Sequence, residues 1–437
     1  MATDKTFREF GKYVLLNIFA QFAFSCYTLM DTFFVAWRLR ADGLSSLNIA
    51  FPMFCVINGI GLMIGIGGGI KYSIYKSKEL NDDANTIFTN AIVFGLFVAF
   101  LFVVSGILFS GYLVRFLGAD DSIFEMTNTY LRVMMLFAPA FFMNNILQCF
   151  VRNDRNPKLS MAAMVIGSVS NIVLDYVFIF PMNMGIFGAI FATGLAPIIS
   201  MMVIFPYIIA GNNGFHLNGK IFDAKSIAEI SSKGMFALLT EVTSATVMFV
   251  FNIIILSLAG NLAVAAFSII TVISLVVTAI YTGLSQGIQP IISYNYGKGD
   301  WGNVRKILKY AVVTQILLSI LIYLTIFCNA DSFAAIYNKQ NDVVLQSFAV
   351  SGMKIYFAAC FFIGFNIVIS TFFTSTEKSL YSQVISLARG FVVIIPVALI
   401  LSRVFKMTGV WSAYPVSECV VFVMAIFMLF LDKNHGE

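Results

Sequence analysis

Charge is the first scarcity. Asp, Glu, Lys and Arg make up 11% of the 437 residues, against about 25% in an ordinary soluble chain. That leaves too little polar surface to cover a soluble body. Hydrophobic residues reach 59% and the mean hydropathy is +0.89, so the chain reads as an all-α polytopic membrane protein. Histidine is scarcer still: His216 and His435 stand alone in polar stretches, which argues against a His-built metal site. Cysteine is sparse and scattered. Cys26, Cys55, Cys149, Cys328, Cys360 and Cys419 sit singly in apolar runs with no C-x-x-C spacing, as small apolar side chains do. The net charge of +5 is small and gives no reason to expect a nucleic-acid partner. After the polar start MATDKTFREFGK no small-residue cleavage pattern appears, so the first apolar run is expected to be a retained helix.

What is present is a series of long apolar runs. Those near 13–35, 44–72, 87–112, 127–150, 159–182, 185–210, 230–258, 262–296, 308–328, 346–374, 381–402 and 408–431 are each long enough to cross a bilayer. The polar stretch 211–234 divides them six and six. Three regions are therefore expected: an N-lobe over 1–210, a linker over 211–233 and a C-lobe over 234–437. Part of the linker, IFDAKSIAEI, is amphipathic enough for a short surface helix. Lys and Arg crowd the loops on the side of both termini, among them Lys76, Arg152, Arg155 and Lys306. The positive-inside rule then places both termini in the cytoplasm. The halves also repeat. GLMIGIGGGIKYSIYK (61–76) aligns without gaps on GLSQGIQPIISYNYGK (283–298), and GIFGAIFAT (185–193) echoes KMTGVWSAY (406–414). With six spans each the repeats run parallel, two pseudo-symmetric lobes about an axis along the membrane normal, as in some secondary transporters.

A few acids lie where the bilayer disfavours them. Asp31, Asp175, Glu241 and Glu418 fall inside spans. A central carboxylate costs about 3 kcal/mol on insertion scales and is a functional candidate by default. Met164, Ser168, Asn171 and Asp175 follow 4-3-4 spacing, one stripe on one helix face. Asn144, Asn145 and Gln148 make a second polar face. Tyr27 shares a face with Asp31, and Thr193 lies in the sixth span. The other half is poorer in acids, with Asn252 near the repeat partner of Asp31, so one cation site is expected, in the first half. Six prolines (Pro52, Pro139, Pro197, Pro290, Pro396, Pro415) predict helix kinks. GIGLMIGIGGG (59–69) lacks the Lys and Ser/Thr of a phosphate loop and reads as a close-packing face. Arg132 and Lys354 fit snorkelling near outer ends. Arg389 is deeper, with Glu418 or a carbonyl as its candidate partner.

These residues resemble the multidrug and toxic compound extrusion (MATE) family, and its MepA-like and DinF-like bacterial members most. The carrying segments are MDTFFVA, FVRNDRNPKLSM, GSVSNIVLDYVFIFPMNMGIFGAIFATGLAP and GLSQGIQPIISYNYGKGD. The resemblance implies two lobes about a central cavity with alternating access and cation-coupled drug efflux. It implies a cation-coupling site at Asp31, Asn171, Asp175 and Thr193, taking a proton or, transiently, sodium, and drug contacts at Tyr27, Asn144, Asn145, Gln148 and Met164. Glu241 resembles the seventh-helix acid of NorM-like members, but no acid follows in the tenth span before Glu377, so a complete C-lobe site is not expected. Two departures stand out. Arg155 occupies the glycine position of the usual R-N-D-G-N-P-K loop, and the first span has no proline between Leu15 and Ala36.

The function expected is a proton- or sodium-driven antiporter of amphiphilic, often cationic drugs in the cell membrane. It would be a monomer in contact with lipid, with no cofactor and no enzymatic activity. The competing readings are a lipid-linked oligosaccharide flippase, which calls for cavity arginines to meet a pyrophosphate, an integral membrane enzyme, which calls for a nucleophile–base or metal constellation, and a channel.

Overall fold

The computed structural model describes residues 5–338 and 342–433; His435 lies outside them. Among the described residues ten helices are long and apolar enough to cross a membrane, and a bent pair makes an eleventh. The longest of the ten, Ser379–Asp432, reverses at Lys406 (φ 53°, ψ −131°) and is two spans, which brings the number to twelve. In chain order they are α1 (Lys5–Arg40), α2 (Asp42–Ser77), α3 (Asn81–Leu108), α4 (Phe124–Leu136 and Ala138–Asn153, bent by 47°), α5 (Pro157–Ile179), α6 (Gly185–Ile209), α7 (Ala224–Gly260), α8 (Leu262–Gly297), α9 (Trp301–Tyr337), α10 (Val343–Ser375), α11 (379–405) and α12 (407–433). The bend in α4 falls two residues before Pro139, which supplies no backbone donor to the preceding turn. Capping fixes several starts: Asn156, Asp223, Asp300 and Asp342 each accept a backbone N–H from the first turn of α5, α7, α9 and α10.

α7 begins at Ala224. The separate surface helix expected within 221–230 is instead the first turns of this span, because the Asp223 cap starts the helix there and apolar sequence carries it onward.

The repeat is written into the backbone. Left-handed residues recur in matching places: Arg40 (φ 56°) and Gly260 (φ 72°) turn α1 into α2 and α7 into α8. Arg155 (φ 62°) and Glu377 (φ 64°) precede α5 and α11, and Asn183 (φ 51°) and Lys406 (φ 53°) precede α6 and α12. The two halves are pseudo-symmetric six-helix lobes.

The cores show how the lobes meet. One apolar cluster draws only on the first half, from Phe34 to Ile190, and another only on the second, from Phe251 to Ala413. The remaining three are mixed. Phe10, Tyr13 and Val14 pack with Leu284 and Ile288, Ile230 joins Met63 and Tyr72, and Ala237 joins Ile66 and Ile70. The lobes are thus sealed at the end that carries residue 5 and the 211–223 linker, and have separate cores at the other.

Glycines form this seam. A Cβ on Gly67 would sit 2.0 Å from the Ile230 carbonyl oxygen, and one on Gly234 would sit 1.8 Å from that of Met63. Only hydrogen fits at either place, so α2 and α7 cross backbone against backbone. Lys71 on α2 then reaches the C-lobe, pairing with Glu377 at 2.8 Å and Glu229 at 3.2 Å.

Candidate cation and substrate site

Asp31, Asn171, Asp175 and Thr193 are all buried, at 7%, 0%, 0% and 5% exposure. They come from α1, α5 and α6, whose packing brings them together inside the N-lobe. With its amide oriented as its neighbours require, Asn171 donates to Asp175 Oδ2 at 3.0 Å and accepts from the Thr193 backbone N–H at 3.3 Å. The Thr193 hydroxyl donates to the Ala189 carbonyl one turn back, at 3.1 Å, which leaves its lone pairs facing inward. Asp31 lies close enough for its charge to act on Asp175. Asp31 Oδ1 and Asp175 Oδ1 are buried without a hydrogen-bond partner. Two acids with orphaned oxygens beside amide and hydroxyl oxygens form a hard donor set that suits a proton or a small hard cation.

Two tyrosines border the acids. Tyr27 stands one turn before Asp31 with its ring against Phe24 (4.9 Å, edge-on). Tyr130 of α4, buried, feels the charge of both Asp31 and Asp175. Tyr130 was not among the residues expected from sequence, since one tyrosine in an apolar run carries little signal.

The second polar face divides. Gln148 donates to Asn144 Oδ1 at 2.9 Å and to Ser200 Oγ at 3.0 Å, tying α4 to α6. Asn145 instead donates to Asn58 Oδ1 of α2 at 3.0 Å. Glu241, on α7, packs over Gly59 and lies within reach of Asn58, so it belongs to the lobe seam and not to the N-lobe acids. Met164 is half-buried on the stripe, eleven residues before Asp175, which is about 16 Å along a helix. It therefore stands at a different depth from the carboxylates. Ser200 and Asn58 were legible as polar residues in apolar spans, but their partners lie in other helices.

The C-lobe has its own charged group. Arg389 sits on a widened π turn of α11, Ala388–Val392. Its Nη2 and Nε reach Glu418 of α12 at 3.0 Å, and Asn366 of α10 donates to the same carboxylate at 2.8 Å. The pair is a closed neutral unit with its donors turned inward. Among the described residues no three His, Cys, Asp or Glu gather into a metal site.

A family model described as MatE matches residues 17–177 and 237–400. The chain belongs to the MatE family. Both matched blocks fall on the two halves of the repeat. Its MatE relatives include the multidrug export protein MepA of Staphylococcus saprophyticus, 24% identical over 413 residues (94% of this chain, 90% of the relative). MepA of Staphylococcus aureus is 22% identical over 411 residues, with the same coverage. Among solved structures, the MATE multidrug transporter DinF-BH has a TM-score of 0.90 at 25% identity, covering 98% of this chain and 96% of that one. The outward-facing conformation of a multidrug resistance MATE family transporter of the MOP superfamily gives 0.92 at 18% identity, over 98% and 96%, a likeness of fold. MatE membership accounts for the twelve spans and the two lobes.

Proposed function

We propose that the chain exports amphiphilic, often cationic drugs by alternating access, driven by a proton or sodium ion entering from the opposite side. One observation carries the reading: Asp31 and Asp175, buried together in the N-lobe, each keep an oxygen without a partner. Membrane proteins keep such groups where ions or protons pass. The names of the relatives, multidrug export proteins and a multidrug transporter, support the substrate class.

In this reading the lobes 1–210 and 234–437 rock about the seam, joined through 211–233, with the linker end and both termini cytoplasmic. Drug meets the half-buried Tyr27, Asn144, Asn145 and Met164, with Gln148 holding Asn144 in place. Two carboxylates sharing one dry site do not both stay charged, so the pair takes up a cation from the open side. Asn171 and Thr193 hold the acceptor geometry, and Glu241 acts at the seam. Neutralising the pair weakens its hold on a cationic drug, which leaves. One net charge moving inward contributes about 2.3 kcal/mol per 100 mV, and a monovalent cationic drug exchanged for one proton gains nothing from the potential. Rigid packing at the glycine crossing keeps the other end shut meanwhile.

The test is transport of a fluorescent organic cation by the purified chain in liposomes, under separate proton and sodium gradients. Asp31→Asn and Asp175→Asn should each reduce gradient-driven transport at least tenfold. Wild-type rates in both variants under both gradients overturn the site.

A further inference from the structure

The segment that joins the lobes is not a loose tether. Side chains of α3 hold its backbone along the first half of that helix. The His216 N–H donates to Asn85 Oδ1 at 2.9 Å, the Asn218 N–H to Thr89 Oγ1 at 2.9 Å and the Asp223 N–H to Asn90 Oδ1 at 2.8 Å. Asn90 Nδ2 in turn donates to the Lys220 carbonyl at 2.9 Å. Seated this way, the segment turns its apolar side chains outward: Leu217, Ile221 and Phe222 are 68%, 58% and 61% exposed. The Phe222 ring meets that of Phe97 on α3 edge-on at 6.4 Å. Phe97 is itself exposed, on a helix apolar enough to cross the membrane. The outer face of the segment is thus continuous with the membrane-facing surface of α3.

Lys220, in the same segment, lines a polar cavity of about 190 Å³. Tyr75 of α2 and Asp83 of α3 line it from the N-lobe, and Lys225 and Glu229 from α7. Two of its carboxylates are already engaged. Glu229 pairs with Lys71 at 3.2 Å and accepts from the Tyr75 hydroxyl at 3.4 Å. Asp223, also in the wall, accepts from the Ser226 N–H and hydroxyl as the cap of α7. Lys220, Lys225 and Asp83 remain, and among the described residues none of the three stands in an ion pair. The cavity therefore offers two ammonium groups and one carboxylate beside an apolar, membrane-facing surface.

We infer that this cavity binds the headgroup of an amine-bearing glycerophospholipid of the phosphatidylethanolamine type. The phosphodiester lies between Lys220 and Lys225, the ammonium at Asp83, and the acyl chains run along Ile221, Phe222 and Phe97. Each charge of the headgroup then meets its opposite. A glycerol headgroup leaves Asp83 unmatched, and a trimethylated one keeps its charge but has no N–H to donate. Lys220 is fastened to the N-lobe and Lys225 belongs to α7, so an occupant touches both lobes. Basic pockets between spans at the membrane surface suit lipid phosphates in this way.

The experiment is native mass spectrometry of the purified full chain, titrated with ethanolamine, choline and glycerol phospholipids of identical acyl chains. The ethanolamine lipid should bind at least about fivefold more tightly than either of the others. Lys220→Ala combined with Lys225→Ala should weaken it about tenfold or more. Asp83→Asn should cut its preference over the choline lipid to less than about twofold. All three side chains are exposed, so the fold is not at stake. Lys309→Ala, an exposed lysine on α9 that lines no part of the cavity, should change nothing. Water-soluble glycerophosphoethanolamine should not displace the lipid at equal concentration. Equal binding of the three lipids, or a preference that survives the double lysine variant, overturns the assignment. So does displacement by glycerophosphoethanolamine at equal concentration, which would make the site one for a soluble ligand.

Discussion

The Arg155 guanidinium lies 4.3 Å from the ring centre of Tyr294, across the seam between the lobes. Arg155 reaches it from a left-handed backbone position (φ 62°), the geometry for which glycine is suited and which costs another residue about 1 kcal/mol or more. The cation–π contact is worth roughly 0.5–1 kcal/mol at an exposed site, so the two effects nearly cancel in stability while the contact adds to seam closure. Arg155→Gly should leave thermal stability within about 1 kcal/mol of wild type and loosen the seam. A disulfide between Cys introduced at Thr6 of α1 and Asn303 of α9 reports closure, because the Thr6 hydroxyl donates to Asn303 Oδ1 across the seam at 3.1 Å. With the six native cysteines replaced, that cross-link should form more slowly in the Arg155→Gly variant.

The Lys71–Glu377 bridge gives a pH prediction. Burial pushes the Glu377 carboxyl up, but the hydrogen bond and charge of Lys71, with Lys233 nearby, outweigh it and hold the group below the usual glutamate range. A depressed carboxylate contributes stability above its unfolded value, lost only as pH falls through the lowered one. The bridge's contribution to thermal stability should therefore be flat from pH 8 to about pH 5 and be lost in stronger acid. Glu377→Gln should remove the acid limb and slow cross-linking at neutral pH. A wild-type midpoint near pH 6 contradicts the assignment.

Asn171 holds one oxygen of Asp175. Asn171→Ala removes that donor and leaves the carboxylate less well placed, and Thr193→Val removes a hydroxyl oxygen from the same site. A lost hydrogen bond of about 1 kcal/mol corresponds to roughly fivefold in affinity. Each variant should need about that much more driving cation for half-maximal transport of the fluorescent substrate, with drug affinity changed less.

Arg389 and Glu418 test a buried ion pair. Arg389→Ala leaves Glu418 unpaired within the C-lobe and should destabilise by about 3–5 kcal/mol, seen as lower thermal stability in detergent. Arg389→Met combined with Glu418→Leu should recover most of the loss. If the double variant regains stability but not transport, the pair serves transport and not the fold.

Gly234→Ala brings a methyl group to within 1.8 Å of a carbonyl oxygen, which forces α2 and α7 apart. Thr6–Asn303 cross-linking should fall several-fold. Gly11→Ala is the control, since a Cβ there meets nothing within 4 Å, and it should cross-link at the wild-type rate.

Much of this was legible in the chain because the background is apolar. Asp31, Asn171, Asp175 and Thr193 stand out as polar residues in runs that otherwise exclude them, and helical spacing placed Asn171 and Asp175 on one face. Spacing says nothing about partners from distant helices, so Tyr130 beside the acids and Ser200 beside Gln148 were hidden. Arg389 stood out as a charge deep in a span with Glu418 among its candidate partners, and the structure supplies that pair; the π turn that carries it has no signal in regular periodicity. The seam was hidden too. Lys71, Glu229 and Glu377 each read as ordinary charges near a membrane surface until the fold brings both acids within 3.2 Å of the lysine. Arg155 shows the reverse case, a departure from the usual loop glycine visible in sequence whose reason, Tyr294, is visible only in three dimensions.

The Gly67 and Gly234 crossing bears on how the molecule moves. Where side chains interdigitate, rotamers can absorb part of a displacement and an interface can yield by degrees. Here main chain rests on main chain, and neither partner has a torsion to spare. The crossing behaves as a latch with a seated position and a released one, so the cycle should proceed by jumps between two discrete states and not by gradual widening of a pore.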